Sequence, residues 1–325
     1  VKFTAREFLI NQMNNRKLAF VFPGQGSQSV GMGHALAQYY PVANETFKQA
    51  DDILGFTLSK FAWEGPEERL NDTVNTQPAL FTHSIAVLQV IQSLGLVLIP
   101  SFVAGHSMGE LSALVAAGSL SFADGLHLVK TRGELMKRAG ELSPGGMAAV
   151  LGLDIPIIEQ QCLQASTSRE IVQVANDNCP GQVVISGANT ALDRVQPLLE
   201  RAGARRVLRL AVSIAAHSPY MSSSQEDFNN SVASSLVRDP YIPVIGNVNA
   251  QPMLTADEIK KDLQNQLTHR VRWSESIHYL ISSGVTEFIE IGNGSVLNGL
   301  IKRIDRNVIA STLGTTEDFQ RLENL

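Results

Sequence analysis

Residues 102–116 read FVAGHSMGELSALVA, and the fold is decided in this stretch. Phe102–Ala104 is a short apolar run that reads as a buried strand. Gly105-His106-Ser107-Met108-Gly109 follows, and the small and apolar residues from Gly109 to Ala117 support a helix. A strand, a serine flanked by glycines and a helix make the G-x-S-x-G elbow, in which the backbone turns sharply and lifts the serine above the sheet. The helix N-terminus behind it offers backbone N–H groups and the positive end of a dipole to an oxyanion. The bland alternative is a tight turn with a solvent-facing serine. The strand–turn–helix context, with Glu110 next in line, favours Ser107 as a nucleophile.

Outward from the elbow, short apolar runs alternate with longer helical ones. Leu18–Phe22 is a buried-strand run closed by Pro23-Gly24. Helical patterns cover Val30 to about Gln49, Ala79–Leu94, Leu111–Ala117 and Phe122–Lys137, the last opening on a Ser121-x-x-Asp124 cap. This alternation predicts an α/β fold with a largely parallel sheet. After Ser143-Pro144-Gly145-Gly146 the order changes. Strands at 147–153, 171–175, 182–186 and 206–212, helices at 155–165 and 190–202, and a turn cluster at 176–181 give β-α-β-β-α-β, the ferredoxin-like order. A helix at 222–236, a strand at 244–247, helices at 256–267 and 273–283 and a strand at 287–291 resume the first pattern. The expected organisation is an N-terminal extension (1–16), a large subdomain (17–140 and 213–325) and a small ferredoxin-like subdomain (141–212) inserted in it.

The chain has 325 residues, enough for two such units, with 44% hydrophobic and 18% charged residues, a globular composition. Its 26 basic and 31 acidic side chains leave a net charge of −5, so no basic excess points to nucleic acid or an anionic membrane. Cys162 and Cys179 are too few for a disulfide framework or a four-ligand zinc site, which fits a reducing cytosol. Residues 1–16 do not read as a signal peptide. The most hydrophobic stretch, 84–105, is broken by Gln89, Gln92, Ser93 and Pro100 and does not read as a membrane span.

A serine hydroxyl needs a base at neutral pH. Of seven histidines, His34, His83, His127 and His278 fall within expected helices, where surface or core packing is the plain reading. His269 sits in a polar, basic segment and reads as solvated. His106 adjoins the nucleophile, and its ring is expected to point away as a packed wall. His217 lies in a small-residue loop, Ser213-Ile214-Ala215-Ala216, after the 206–212 strand and downstream of the serine. It is the best base candidate. The second glycine cluster, Gly24-Gln25-Gly26, follows the first strand and could cradle a phosphate. The dinucleotide fingerprint fails at Ser29 and no Gly-Lys-Ser/Thr follows, so the preferred use is to present the Gln25 N–H as an oxyanion donor. Arg132 stands among Leu126, Val129, Leu135 and Met136. It either snorkels to solvent or turns its planar fork of donors to a carboxylate in the serine pocket.

Taken together, FVFPGQGSQSVGMG (20–33), NTQPAL (75–80), GHSMGE (105–110), Arg132-Gly133, Asn178 with Gly181-Gln182, and IGNGSVLNGL (291–300) resemble the malonyl-CoA:acyl-carrier-protein transacylases of fatty-acid synthesis and their relatives, the polyketide synthase acyltransferases. The resemblance runs from about Lys17 to Leu313. It implies an α/β-hydrolase-like large subdomain carrying a ferredoxin-like small one. It also implies a cytoplasmic monomer without cofactors that takes malonyl-CoA and an acyl carrier protein as substrates. Ser107 would attack the thioester and His217 would take its proton. The N–H groups of Gln25 and Met108 would form the oxyanion hole, and Arg132 would hold the malonyl carboxylate. A backbone carbonyl, by position that of Gln266, would orient the imidazole, and Gln77 and Asn178 would line the site. Ala216 departs from the Phe or Ser more usual before the histidine, a position tied to extender-unit choice. Rival readings are a trans-acting polyketide acyltransferase using another extender unit, a serine acyl hydrolase of the same fold, and a nucleotide-binding module built on Gly24–Gly31.

Overall fold

Among the described residues the chain forms ten strands: β1 Lys17–Phe22, β2 Phe102–Gly105, β3 Gly145–Leu151, β4 Val172–Cys179, β5 Gln182–Ala188, β6 Arg206–Arg209, β7 Val244–Ile245, β8 Pro252–Met253, β9 Val285–Ile291 and β10 Ile309–Leu313. The computed structural model describes residues 17–323; the expected extension 1–16 lies outside them. β1 is the key to the main sheet. Its side chains alternate between two cores, as a strand's period of two dictates. Leu18, Phe20 and Phe22 enter one core with the helices Pro41–Leu54, Thr73–Ser93 and Phe122–Leu142. Ala19 and Val21 enter the other with the helices Trp273–Ser282 and Val296–Ile304. A strand apolar on both faces needs cover on both, which is the condition for a parallel sheet. The sheet has six strands in the order β10-β9-β1-β2-β7-β8. Every neighbouring pair is parallel except β7 with β8.

The second sheet, β4-β5-β3-β6, is antiparallel, and its chain order with the helices Ile155–Ala165 and Asn189–Arg201 is β-α-β-β-α-β. Ala148, Val150, Val183 and Ile185 of its strands pack against Ile158, Cys162, Leu192 and Val195 of those helices. β4 is tied to the segment before the helix Trp273–Ser282, where Asp177 N–H donates to Val271 O (2.9 Å) and Val271 N–H donates to Ala175 O (2.8 Å).

Several expected boundaries are corrected. The pattern from Val30 to Gln49 is two helices, His34–Tyr39 and Pro41–Leu54, because Pro41 suits a helix's first turn and opens a new one. The helix expected at Ala79 begins at Thr73, where the Asp72 side chain accepts from Val74 N–H, and it runs through Pro78. Buried Gln77, Pro78, Ala79 and Leu80 hold it there despite the lost donor. Asn176-Asp177-Asn178 is not a turn. β4 continues through it with register shifts between Val174 and Asn176 and between Asp177 and Cys179. The final helix–strand–helix, Val296–Ile304, β10 and Thr316–Glu323, went unread as secondary structure in the sequence.

The elbow itself is a steric crossing. A Cβ on Gly105 would lie 2.0 Å from the carbonyl carbon and oxygen of Gly109. The strand end and the helix start therefore touch through bare backbone. Gly105→Ala should destabilise the protein by about 3 kcal/mol or more, the upper scale for forced overpacking. Gly299→Ala is the matching control, because a Cβ there meets nothing within 4 Å. It lies inside a helix and should be neutral or stabilising by about 0.4–1 kcal/mol. Urea unfolding of both variants checks the contrast.

Candidate active site

Ser107 sits at the left-handed φ of 53°, a conformation a non-glycine residue holds only when its surroundings enforce it. The enforcing group is Asn247, on the turn after β7. Its Oδ1 accepts from Ser107 N–H (2.8 Å) and its Nδ2 donates to Gly105 O (2.8 Å). One buried amide thus spans both arms of the elbow. Sequence reading missed Asn247. The available signal was a polar Gly246-Asn247-Val248-Asn249 turn directly after a strand of the nucleophile's own sheet.

His217 also holds a left-handed φ, 57°. Its Nδ1 lies 2.9 Å from Gln266 O and 3.1 Å from His269 O. Carbonyl oxygens only accept, so Nδ1 carries the hydrogen and Nε2 presents a lone pair. Ser107 Oγ–H donates to that Nε2 at 2.8 Å. Gln266 O is the carbonyl that the resemblance implies, and His269 O is a second that it does not name. The ring of His269 is exposed, as its sequence context implied. The His217 ring is pushed down to about 3, first by burial and then by the charge of Arg132.

Arg132 does not snorkel. It is 1% exposed, and each of its four hydrogen bonds ends on a neutral acceptor. Nε donates to Gln266 Oε1 (3.0 Å), Nη1 to Gln77 Oε1 (2.9 Å) and Met136 Sδ (3.2 Å), and Nη2 to Ser107 Oγ (2.9 Å). Its reach depends on Gly133. A Cβ at that position would lie 2.8 Å from Thr73 O, so only glycine lets the helix Phe122–Leu142 come this close to Thr73–Ser93, which carries Gln77. Burial lowers the guanidinium to about 10, and the negative charge of Glu110 works against that fall.

These groups open into a cavity of about 520 Å³ lined by Gln25, His106, Ser107, Arg132, Asn178, Ala216 and His217, among others. Two expectations change here. Gln77 is fully buried behind the guanidinium rather than on the cavity wall. His106 does pack edge-on against Trp273, but its ring also faces the cavity, with Nε2 2.8 Å from Asn178 Oδ1. Gln25 stands on the loop after β1, its Oε1 accepting from Thr73 Oγ1 (3.0 Å). Met108 is buried directly behind the serine. His83 is the packed core histidine foreseen, bonded to Gly314 O at 2.9 Å. Among the described residues no three His, Cys, Asp or Glu side chains stand close enough to hold one metal ion.

Residues 19–313 match the acyl transferase domain family. The chain is 45% identical over 304 residues to the malonyl CoA-acyl carrier protein transacylase of Bacillus subtilis (strain 168), covering 94% of this chain and 95% of that protein. Among solved structures, an acyl carrier protein S-malonyltransferase from Vibrio cholerae superposes with a TM-score of 0.90 at 40% identity, over 94% of this chain and 99% of that one. A malonyl-transacylase in complex with its type II PKS acyl-carrier protein also superposes at 0.90, with 40% identity over 95% of this chain and 100% of its own. Likeness over nearly the whole length, in sequence and in fold, leaves one assignment: the chain belongs to the malonyl CoA-acyl carrier protein transacylase family of acyltransferases.

Proposed function

We propose that the protein transfers a malonyl group from malonyl-CoA to the phosphopantetheine thiol of an acyl carrier protein through a malonyl-Ser107 intermediate. The observation that carries this reading is the buried guanidinium of Arg132. It sits against the nucleophile and, among the described residues, touches no carboxylate. A buried charge is stable only when paired. A substrate that brings its own carboxylate to this point supplies the missing partner, and the planar fork suits two-point binding of it.

In the first half-reaction His217 Nε2 takes the Ser107 proton as Oγ attacks the thioester carbon. The oxyanion accepts from the backbone N–H groups of Gln25 and Met108. Collapse breaks the carbon–sulfur bond, and coenzyme A leaves with the proton from His217. The carrier thiol then gives its proton to His217 and attacks the malonyl ester, and Ser107 recovers its proton as the ester bond breaks. No cofactor enters these steps. Asn178 and His106 line the approach, while Gln77 supports Arg132 from behind. The carrier belongs to a fatty-acid or polyketide type of assembly, and the likeness to a transacylase solved with its type II PKS carrier supports such a partner. We take the protein to act as a monomer in the cytosol, with the large subdomain (17–140 and 213–325) supplying Ser107, His217 and Arg132 and the small one (141–212) supplying Asn178. The small Ala216 stands on the cavity wall.

Arg132→Ala should lower kcat/KM for malonyl-CoA by about 2–5 kcal/mol of transition-state stabilisation, roughly 30- to 5,000-fold. Transfer from acetyl-CoA should hold or improve, because acetyl has no carboxylate to pair. Arg132→Lys should fall between, keeping the charge without the fork. Equal losses for both substrates would make Arg132 structural and remove the malonyl assignment.

A second outcome concerns pH. His217 is pushed down to about 3, so the neutral, proton-accepting ring persists well below the ordinary histidine range. The rate of malonyl-Ser107 formation should stay flat from pH 8 through 6. A fall with an apparent pKa near 6.5 would contradict it. Stability should behave differently. His83, pushed down to about 4 by burial, and His217 are neutral in the folded state and chargeable near 6.5 once unfolded. Between those values the unfolded chain binds more protons, so their contribution is complete above about pH 6.5 and is lost as pH falls toward 4 and 3. Urea midpoints between pH 8 and 4.5 test the direction.

A further inference from the structure

Beneath the elbow lies an acidic pair that the transfer chemistry above does not use. Glu110 is fully buried on the first turn of the helix Gly109–Ala116, and Asp262 is buried on the helix Ala256–Gln266. The two carboxyl groups are close enough to act on one another, each shifting the other's protonation. Each also carries one buried oxygen, Glu110 Oε1 and Asp262 Oδ2, that no donor reaches. Two ionised carboxylates in contact would repel and leave both oxygens unpaired. One proton held between the groups removes both faults and leaves a single negative charge. Burial, the largest influence on each, and the charge of its neighbour push Glu110 well above the usual carboxylate range, and Asp262 is also raised.

The pair is connected to the site through one residue. Gln266 Nε2 donates to Glu110 Oε2 and to Ser107 O (3.1 Å). Gln266 Oε1 accepts from Arg132 Nε (3.0 Å), and Gln266 O accepts from His217 Nδ1 (2.9 Å). The same glutamine thus holds the base, the clamp and the nucleophile's own carbonyl. Its amide must face one way, with oxygen to Arg132 and nitrogen to Glu110, and the Glu110 acceptor enforces that choice. Asp262 is itself tied down by Val248 N–H (3.2 Å), one residue after the elbow clamp Asn247. The charged groups that bear on the pair are Arg132 and His269.

We propose that Glu110 and Asp262 share one proton and act as positioning residues, fixing Gln266 so that its backbone carbonyl aligns His217 for acyl transfer and its side-chain amide aligns Arg132 for the malonyl carboxylate. This rests on the roles assigned above to Ser107, His217 and Arg132. It differs from them in its signature. Loss of Arg132 harms malonyl alone, whereas loss of the pair harms both halves of the site.

The test combines kinetics with infrared spectroscopy on the full chain. Glu110→Ala frees Gln266 to turn. It should lower malonyl transfer on the order of 10²-fold, the scale for a misplacement of about 1 Å, and acetyl transfer by about tenfold. The malonyl loss should show in KM as well as kcat, the acetyl loss mainly in kcat. Glu110→Gln keeps the shape, accepts from Gln266 and donates to an ionised Asp262, so it should recover most of the malonyl loss. At pH 8, wild type minus Glu110→Gln and wild type minus Asp262→Asn should each show a protonated-carboxyl C=O band. Spectra without that band overturn the shared proton. A folded Glu110→Ala variant with wild-type transfer of both acyl groups overturns the positioning role. If the alanine variant does not fold, a Glu110→Gln variant as impaired as Arg132→Ala, and for malonyl alone, overturns it equally. Wild type that never forms malonyl-Ser107 would instead sink the functional reading, and the infrared result would stand apart from it.

Discussion

A full positive charge, buried beside a nucleophile, organises this site. Arg132 loses most of its hydration, and every hydrogen bond it makes goes to a neutral acceptor. That arrangement holds the guanidinium in place without neutralising it, so it stays available to an incoming anion. The same charge acts on its neighbour. With burial, it keeps the His217 imidazole neutral, which is the form a general base requires. In the proposed reaction, substrate selection and readiness of the base are therefore two consequences of one interaction. The polar chain Gln77, Gln266, Glu110 and Asp262 behind Arg132 is the scaffold on which both rest.

The fold supplies the precision. Ser107 and His217 both hold left-handed backbone conformations, each costing on the order of 1 kcal/mol relative to an ordinary one. At Ser107 the strain is held by the Asn247 amide and by the glycine crossing beneath it. At His217 it is held by two carbonyls on the ring and by Gln173 Nε2, which donates to the His217 backbone oxygen at 3.1 Å. That last bond comes from β4 of the antiparallel sheet, so the small sheet also braces the histidine.

Local signals made much of this readable before any coordinates. Apolar runs mark β1 and β2, two glycines mark the elbow, and a histidine in a small-residue loop marks the candidate base. The resemblance to the transacylases singles out Gln266 and Gln77, which periodicity alone does not, although Gln77 stands behind Arg132 and not on the cavity wall. What stayed hidden is non-local. Asn176-Asp177-Asn178 carries turn-forming residues, yet it is strand, because Asp177 N–H is paired with Val271 and the Asn178 side chain with His106. Asn247 and Asp262 stand about 140 residues or more from the atoms they serve. Pro78 masks the start of its helix, since a rule about isolated helices yields to a buried face. Glu110 was read as part of a motif, but its partner lies on another helix and carries no sequence mark.

The central claim is a malonyl ester on Ser107 that passes to a carrier thiol, and intact-mass spectrometry reads it directly. The protein is mixed with malonyl-CoA, then with a holo acyl carrier protein, and each species is weighed. One malonyl mass should appear on wild type, map to the peptide holding Ser107, be absent from Ser107→Ala, and move to the carrier when it is added. An adduct that persists on Ser107→Ala, or one released to water while the carrier stays unmodified, would contradict the account.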